Sequence, residues 1–238
     1  MIPHIIHYCW FGKKELPEEY RKYIQGWKDV FPDWEVICWN ESNFPLEDVA
    51  FAKAAYEAKK WAFVSDVARI YALQQYGGIY FDADVEIIKN FSDLLENKKC
   101  VLGTESEIAI GTGFLACEKN HPICNLMMNY YKNTEFDPNA LEPNTHILAK
   151  ILQKGYSVKP SKNIVETNDF ILYPQEYFTA FNGALGKTEI DEKTMCVHHL
   201  SASWIEEDSS IKAKIIGVLR KTKKYTVYYI KKYVMNLK

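Results

Sequence analysis

No apolar run in this chain of 238 residues approaches the ~18 needed to cross a bilayer. The opening, MIPHIIHYCWFGKK, has no charged start, no long apolar stretch and no small-residue cleavage site, so no secretory leader is expected. The six cysteines (Cys9, Cys38, Cys100, Cys117, Cys124 and Cys196) show no C-x-x-C spacing. They read as reduced core residues of a cytoplasmic protein. No internal repeat, low-complexity segment or linker interrupts the first 204 residues. The net charge is only −2, and a mildly acidic body is not a nucleic-acid-binding composition.

What is present suits one well-buried soluble domain: 47% apolar and 25% charged residues over a length short for two domains. Aromatic residues are plentiful, with 16 Tyr, 12 Phe and 6 Trp. They serve a core, and their faces also suit sugar-binding clefts. Charge is unevenly spread. From Ile211 to Lys238 there are nine Lys or Arg and no Asp or Glu, leaving 20 basic and 31 acidic residues before it. Apolar Ile215, Ile216, Leu219, Val227, Tyr228, Ile230 and Val234 interleave with those lysines. The chain therefore divides into a domain over 1–205 and a basic amphipathic helical tail over 206–238. The tail is expected either on an anionic membrane surface or packed on its own domain or a second copy. The protein is expected to be cytoplasmic and at most peripheral on the inner face of the plasma membrane.

Hydrophobic periodicity predicts a strand at Ile5–Trp10, a helix over Pro17–Phe31, a strand at Trp34–Trp39, and helices over Glu47–Tyr56 and Trp61–Tyr76. Gly77-Gly78 ends the last of these, since glycine takes positive φ without steric cost. Ile79–Phe81 is a fully apolar strand that runs into Asp82-Ala83-Asp84, with β structure again over Val85–Ile88. Strands near Val101–Leu102 and Phe114–Ala116 flank Gly111-Thr112-Gly113, which reads as a tight turn. Helices over His121–Tyr131 and Thr145–Gln153 follow, then strands near Val158, Ile171 and Met195–His198. Alternating strands and helices predict an α/β sandwich around a mostly parallel sheet, whose ligands sit beyond the C-terminal strand ends. Asp82 and Asp84 fall at such an end.

Two carboxylates one residue apart on extended backbone point to the same side and can share a hard cation, Mn²⁺ or Mg²⁺. Such a cation would stabilise negative charge on a departing diphosphate. A lone D-x-D arises by chance about once in a chain of this composition, so context has to support it. On the preceding helix, Asp66 and Arg69 lie three apart on one face, as an internal ion pair or as ligand-binding groups. Phe81-Asp82-Ala83-Asp84-Val85 also fits the local D-x-D-x-[TV] pattern of haloacid-dehalogenase-like phosphatases. Against that reading, the motif comes late in the chain and no second paired-acid motif follows. A non-catalytic sugar-nucleotide-binding module is the third alternative.

The run SDVARIYALQQYGGIYFDADV, Ser65 to Val85, resembles the signature of family 32 glycosyltransferases, the DXD-motif group that includes capsular polysaccharide transferases, fungal initiating mannosyltransferases and clostridial toxin glucosyltransferases. IPHIIHYCWFG, Ile2 to Gly12, is similar to that family's first strand, and VHHLSASW, Val197 to Trp204, to its late segment. The resemblance implies a GT-A-type fold that binds a nucleotide-sugar. It matches Trp10 to the aromatic that stacks on the nucleobase, and Asp66 and Arg69 to groups at the donor sugar and phosphate. Asp82 matches the carboxylate facing ribose, sugar and the metal's waters, and Asp84 the direct metal ligand. His199 is matched to the third metal ligand, with His198 as the alternative. Ser203 and Trp204 match the residues closing over the diphosphate, with Ser201 in competition with Ser203 because Ala202 departs from the family's pattern. Asn144 and Thr145 match an acceptor-side polar pair loosely. The implied activity is retaining transfer of a hexose from a UDP- or GDP-sugar to a saccharide or lipid-linked acceptor, in capsule, lipopolysaccharide or exopolysaccharide synthesis.

Overall fold

Residues 61–76 do not divide into a wet and a dry face. Val64, Val67, Ala68, Ile70, Ala72 and Leu73 are buried, and so are Asp66 and Arg69. A helix enclosed on most sides has to lie between layers. The computed structural model describes residues 1–140, 142–182 and 187–199, and it shows those layers. Ser201, Ser203, Trp204 and the 206–238 tail lie outside the described residues.

The strands are β1 (Ile5–Cys9), β2 (Glu35–Trp39), β3 (Gly78–Phe81), β4 (Val85–Ile87), β5 (Cys100–Ser106), β6 (Ala109–Cys117), β7 (Val165–Glu166), β8 (Ile171–Tyr173), β9 (Phe181–Asn182), β10 (Lys187–Thr188) and β11 (Cys196–His198). The helices are α1 (Glu18–Val30), α2 (Ala50–Glu57), α3 (Trp61–Tyr76), α4 (Ser92–Leu95), α5 (Pro122–Lys132), α6 (Asn144–Tyr156) and α7 (Gln175–Phe178). Seven strands form one sheet in the order β2-β1-β3-β6-β5-β8-β7. β1 runs parallel to β2 and β3, and β5 parallel to β8, while β6 is antiparallel to both its neighbours and β7 to β8. Five strands thus share one direction, and the sheet is mostly parallel. Smaller antiparallel ladders join β4 to β11 and β9 to β10.

Strand alternation builds the two cores. Ile79 and Phe81 of β3 pack with Ile24, Trp27 and Phe31 of α1 on one side of the sheet. Tyr80 faces the other side, where α2, α3, α5 and α6 cover it. The Trp27 indole N–H donates to the Val85 carbonyl at 2.8 Å, tying α1 to β4. Gly77 and Gly78 turn the chain from α3 into β3 at φ values of 69° and 101°. A Cβ at Gly78 would lie 2.4 Å from the Ile5 carbonyl oxygen, so glycine is required both for conformation and for the closeness of β1. Five of the six cysteines are buried, and Cys38 is half-buried. Among the described residues no helix is long and apolar enough to cross a membrane.

Two expectations are corrected. The segment around Val158 is not a strand; the sheet edge is β7, beginning at Val165. Gly111-Thr112-Gly113 is not a turn but the middle of β6, and the hairpin turns at Glu107-Ile108 instead. Nine buried residues in a row mark a central strand covered on both faces, and this outweighs the two glycines.

His7 sits fully buried on β1 in a fixed protonation state. Its Nε2 lies 2.8 Å from the Gly77 carbonyl, which can only accept, and its Nδ1 lies 3.1 Å from the Trp39 indole N–H, which can only donate. The ring is therefore neutral, with its hydrogen on Nε2. Burial lowers its pKa from 6.5 to about 4, against the Gly77 hydrogen bond, which raises it. As pH falls through 6.5 the unfolded chain takes up this proton before the folded one does, so stability is complete above pH 6.5 and is lost toward pH 4. The slope attributable to His7 is at most about 1.4 kcal/mol per pH unit. Urea unfolding of wild type and His7→Gln at pH 7.5 and pH 5 checks this: the variant should be less stable at pH 7.5 but should lose less on acidification.

Candidate active site

Asp82 leaves β3 on the same side as Tyr80, because both follow the strand's two-residue alternation, and the Tyr80 hydroxyl donates to Asp82 Oδ1 at 2.9 Å. The chain then turns. The Val85 N–H donates to the Asp82 carbonyl at 3.0 Å, which closes a tight turn over Ala83 and Asp84. The two carboxylates are therefore brought together by a turn between β3 and β4, not by extended backbone as the spacing alone suggests. The Asp82 N–H is held by the Gly113 carbonyl at 2.9 Å, so the start of the turn is pinned to β6.

Arg69 lies beneath this turn. Its Nη2 is 3.0 Å from Asp66 Oδ1 and 3.2 Å from Asp82 Oδ1, and its Nη1 donates to the Thr112 carbonyl at 2.7 Å. Its guanidinium carbon lies 4.7 Å from the centre of the Tyr80 ring. The Asn144 amide donates to Asp66 Oδ1 at 2.5 Å, and Thr112 Oγ1 donates to Asn144 Oδ1 at 2.9 Å. Asp66, Arg69, Thr112 and Asn144 are all buried. Burial pushes Asp66 up to about 7, partly offset by the Arg69 charge and the Asn144 amide, while the Asp82 charge adds to the rise. Arg69 is shifted further into its charged range: burial works against the charge, but Asp82, Tyr80 and Asp66 together overcome it. One guanidinium thus ties Asp66 of α3 to the first aspartate of the motif.

β11 brings an imidazole to the same place. It pairs with β4 so that His198 lies opposite Val85. His198 Nε2 is 3.2 Å from Asp84 Oδ1 and 3.6 Å from Asp82 Oδ2. One donor atom from each of Asp82, Asp84 and His198 falls within 4.8 Å of the others, so a single ion can touch all three. Burial lowers the affinity of His198 for a proton, but the hydrogen bond and charge of Asp84, with the charge of Asp82, raise it overall. Two carboxylate oxygens and one imidazole nitrogen fit a small divalent cation such as Mn²⁺ or Mg²⁺.

The residues named from sequence can now be located. Asp66, Arg69, Asp82 and Asp84 converge. His199 does not join them, which is a correction: His198 is the histidine facing the aspartates. Alternation along the ladder sends His199 the other way, where its Nε2 meets Glu86 Oε2 at 2.9 Å and its ring stacks on Tyr23. Its backbone N–H still serves the site by donating to the Asp84 carbonyl at 3.1 Å. Trp10 follows β1 and so shares the C-terminal sheet edge with Asp82. It is half-buried, donates its indole N–H to the Lys14 carbonyl at 2.7 Å and meets Tyr20 edge-on. Asn144, matched only loosely from sequence, is integral to the buried network. Thr112 and Gly113 resemble turn residues in sequence; the signal for a strand is the apolar flanks Ala109-Ile110 and Phe114-Leu115-Ala116.

Residues 17–101 match the family model described as "Glycosyltransferase sugar-binding region containing DXD motif". A stretch covering 51% of the chain is 30% identical to inositol phosphoceramide mannosyltransferase 3 of Schizosaccharomyces pombe, of which it covers 35%. The chain thus spans about a third of that relative's length. An uncharacterized glycosyltransferase, L373, of Acanthamoeba polyphaga mimivirus is 28% identical over 76% of this chain and 74% of its own. The solved structure "PaToxG Glycosyltransferase" shares the fold with a TM-score of 0.50, at 20% identity over 66% of this chain and 70% of that one. Of the enzyme families that Phe81–Val85 fits locally, the matched one is the glycosyltransferases. The turn at Asp82–Asp84 lies inside the matched region, so residues 17–101 are similar to the DXD-containing sugar-binding region of glycosyltransferases, and the chain shares its fold with a solved glycosyltransferase.

Proposed function

We propose that this protein is a divalent-cation-dependent, retaining hexosyltransferase that uses a UDP- or GDP-hexose as donor. The observation that carries the reading is the convergence of Asp82, Asp84 and His198 beside the Asp66–Arg69–Asp82 network. Asp82 and Asp84 turn two carboxylates toward His198, while Arg69 is already shared with the buried Asp66, so a divalent ion meets opposite charge there. Asp82, Asp84 and His198 would hold such an ion, which would supply positive charge to a diphosphate leaving group. Asp66 offers a carboxylate to sugar hydroxyls, anchored by Asn144 and Arg69. Arg69 itself holds Asp66 and Asp82 at fixed separation and lends its charge to the phosphate side. Trp10, Ser203 and Trp204 are assigned to the nucleobase and diphosphate by family resemblance.

Transfer exchanges the bond from sugar C1 to the diphosphate for a bond from C1 to an acceptor oxygen, through an oxocarbenium-like state. In the retaining course favoured here, the acceptor attacks the face that the nucleotide leaves, and its hydroxyl proton passes to the departing phosphate oxygen. A saccharide or lipid-linked saccharide is the proposed acceptor, in surface-polysaccharide synthesis. The ceramide acceptor implied by the fungal relative's name supports the lipid-linked option. The basic segment 211–238 is proposed to lie against an anionic membrane, which is consistent with such an acceptor.

A panel of UDP- and GDP-hexoses assayed for hydrolysis with and without Mn²⁺ tests the reading; turnover of every donor unchanged by chelation would sink it. Asp84→Ala should cut turnover by about a hundredfold or more, the effect of several kcal/mol of lost charge stabilisation, while circular dichroism stays as in wild type. His198→Ala and His199→Ala separate the two histidines. The first should weaken Mn²⁺ binding measured by calorimetry, and the second should leave it within a few-fold, roughly the scale of one lost peripheral contact. The opposite order would restore His199 as the ligand.

A further inference from the structure

Gly113 has no conformational reason to be glycine. Among the described residues the glycines with left-handed φ are Gly12, Gly77 and Gly78, and Gly113 is not one of them. It sits inside β6, fully buried, where strand geometry favours side chains with a Cβ branch. Its neighbours explain the choice. A Cβ built on Gly113 would lie 2.5 Å from His198 Cε1, 2.6 Å from His198 Nδ1 and 3.1 Å from Asp82 Oδ2. The first two separations are closer than a Cβ approaches a non-bonded neighbour, so the ring would have to shift, and a shift moves its Nε2 from its place 3.2 Å from Asp84.

We propose that Gly113 sets the affinity of the site for its divalent cation by leaving the volume that the His198 ring occupies. Gly113 is a positioning residue. Its carbonyl fixes the Asp82 backbone at 2.9 Å, and its missing side chain admits the imidazole that completes the ligand set. Any side chain here displaces the ring from the aspartates and leaves two protein ligands in place of three. The glycine and the histidine act as one unit across the β6–β11 gap, although they belong to different ladders and lie 85 positions apart in the chain. The inference rests on the cation reading of Asp82, Asp84 and His198.

Four full-length proteins decide it: wild type, Gly113→Ala, His198→Ala and the double variant. Each is melted without metal and titrated with Mn²⁺ by calorimetry. Gly113→Ala should melt lower than wild type, and removing the ring in the double variant should raise the melting temperature again, including the case in which Gly113→Ala alone does not fold. Mn²⁺ affinity should fall about 10- to 100-fold in Gly113→Ala, a loss of the size seen when a ligand's support is removed. His198→Ala should lose as much, and the double variant no more than His198→Ala. Wild-type Mn²⁺ affinity in Gly113→Ala, or a double variant that melts no higher than Gly113→Ala, overturns the proposal. A wild type that gives no Mn²⁺ heat overturns the cation reading itself, and the metal-free melts separate that failure from an error about the Gly113–His198 contact.

Discussion

The buried guanidinium of Arg69 is the interaction on which the site depends. A cation enclosed by protein is tolerable only when it is paired and its donors are satisfied. Arg69 meets that requirement with two carboxylates, the Thr112 carbonyl and the Tyr80 ring, drawn from α3, β6, β3 and the turn after it. Each partner is thereby held by the others. Asp66 could not remain ionised in such a place alone, and even with Arg69 present its carboxyl is pushed up to about 7 by burial. The pairing therefore fixes more than geometry, because the Arg69 charge offsets part of the rise that burial imposes on the Asp66 carboxyl. Exchanging Arg for Lys would keep the charge but lose the fork that reaches two aspartates and a carbonyl at once.

Much of this was legible before any coordinates. The limits of α3 follow from its apolar content and the glycine pair after it, and they agree with the structure at both ends. Asp66, Arg69, Asp82 and Asp84 stand out because the run from Ser65 to Val85 resembles a known signature; a three-residue helical step and a two-residue step between aspartates are weak signals by themselves. What failed did so for identifiable reasons. His198 and His199 are adjacent and chemically identical, and only the register of β11 on β4 decides which one turns inward. That register depends on pairing across more than a hundred residues, which no local pattern encodes. Gly111-Thr112-Gly113 reads as a turn because it holds two glycines, whereas here glycine marks close approach inside a strand. Asn144 was hard to weigh because its value comes from Asp66, 78 positions away.

The unequal lengths of β3 and β6 explain why a single sheet edge can hold both the carboxylate turn and its supports. β3 has four residues and β6 nine, and they pair from Gly78↔Cys117 to Phe81↔Phe114. Because β6 runs against its neighbours, the part of it that precedes Phe114 projects past the C-terminal end of β3. Thr112 and Gly113 lie on that overhang. A parallel strand in the same place would have ended with β3 and left a loop at the site. The reversed strand instead extends rigid, fully buried backbone under the turn. From there it offers the Gly113 carbonyl to Asp82, the Thr112 carbonyl to Arg69 and the Thr112 hydroxyl to Asn144. Ligands of mostly parallel sheets gather beyond C-terminal strand ends because helix starts and loops meet there. In this protein the one antiparallel strand in the middle of the sheet adds a platform at that edge, and the two aspartates of the motif are aimed by it.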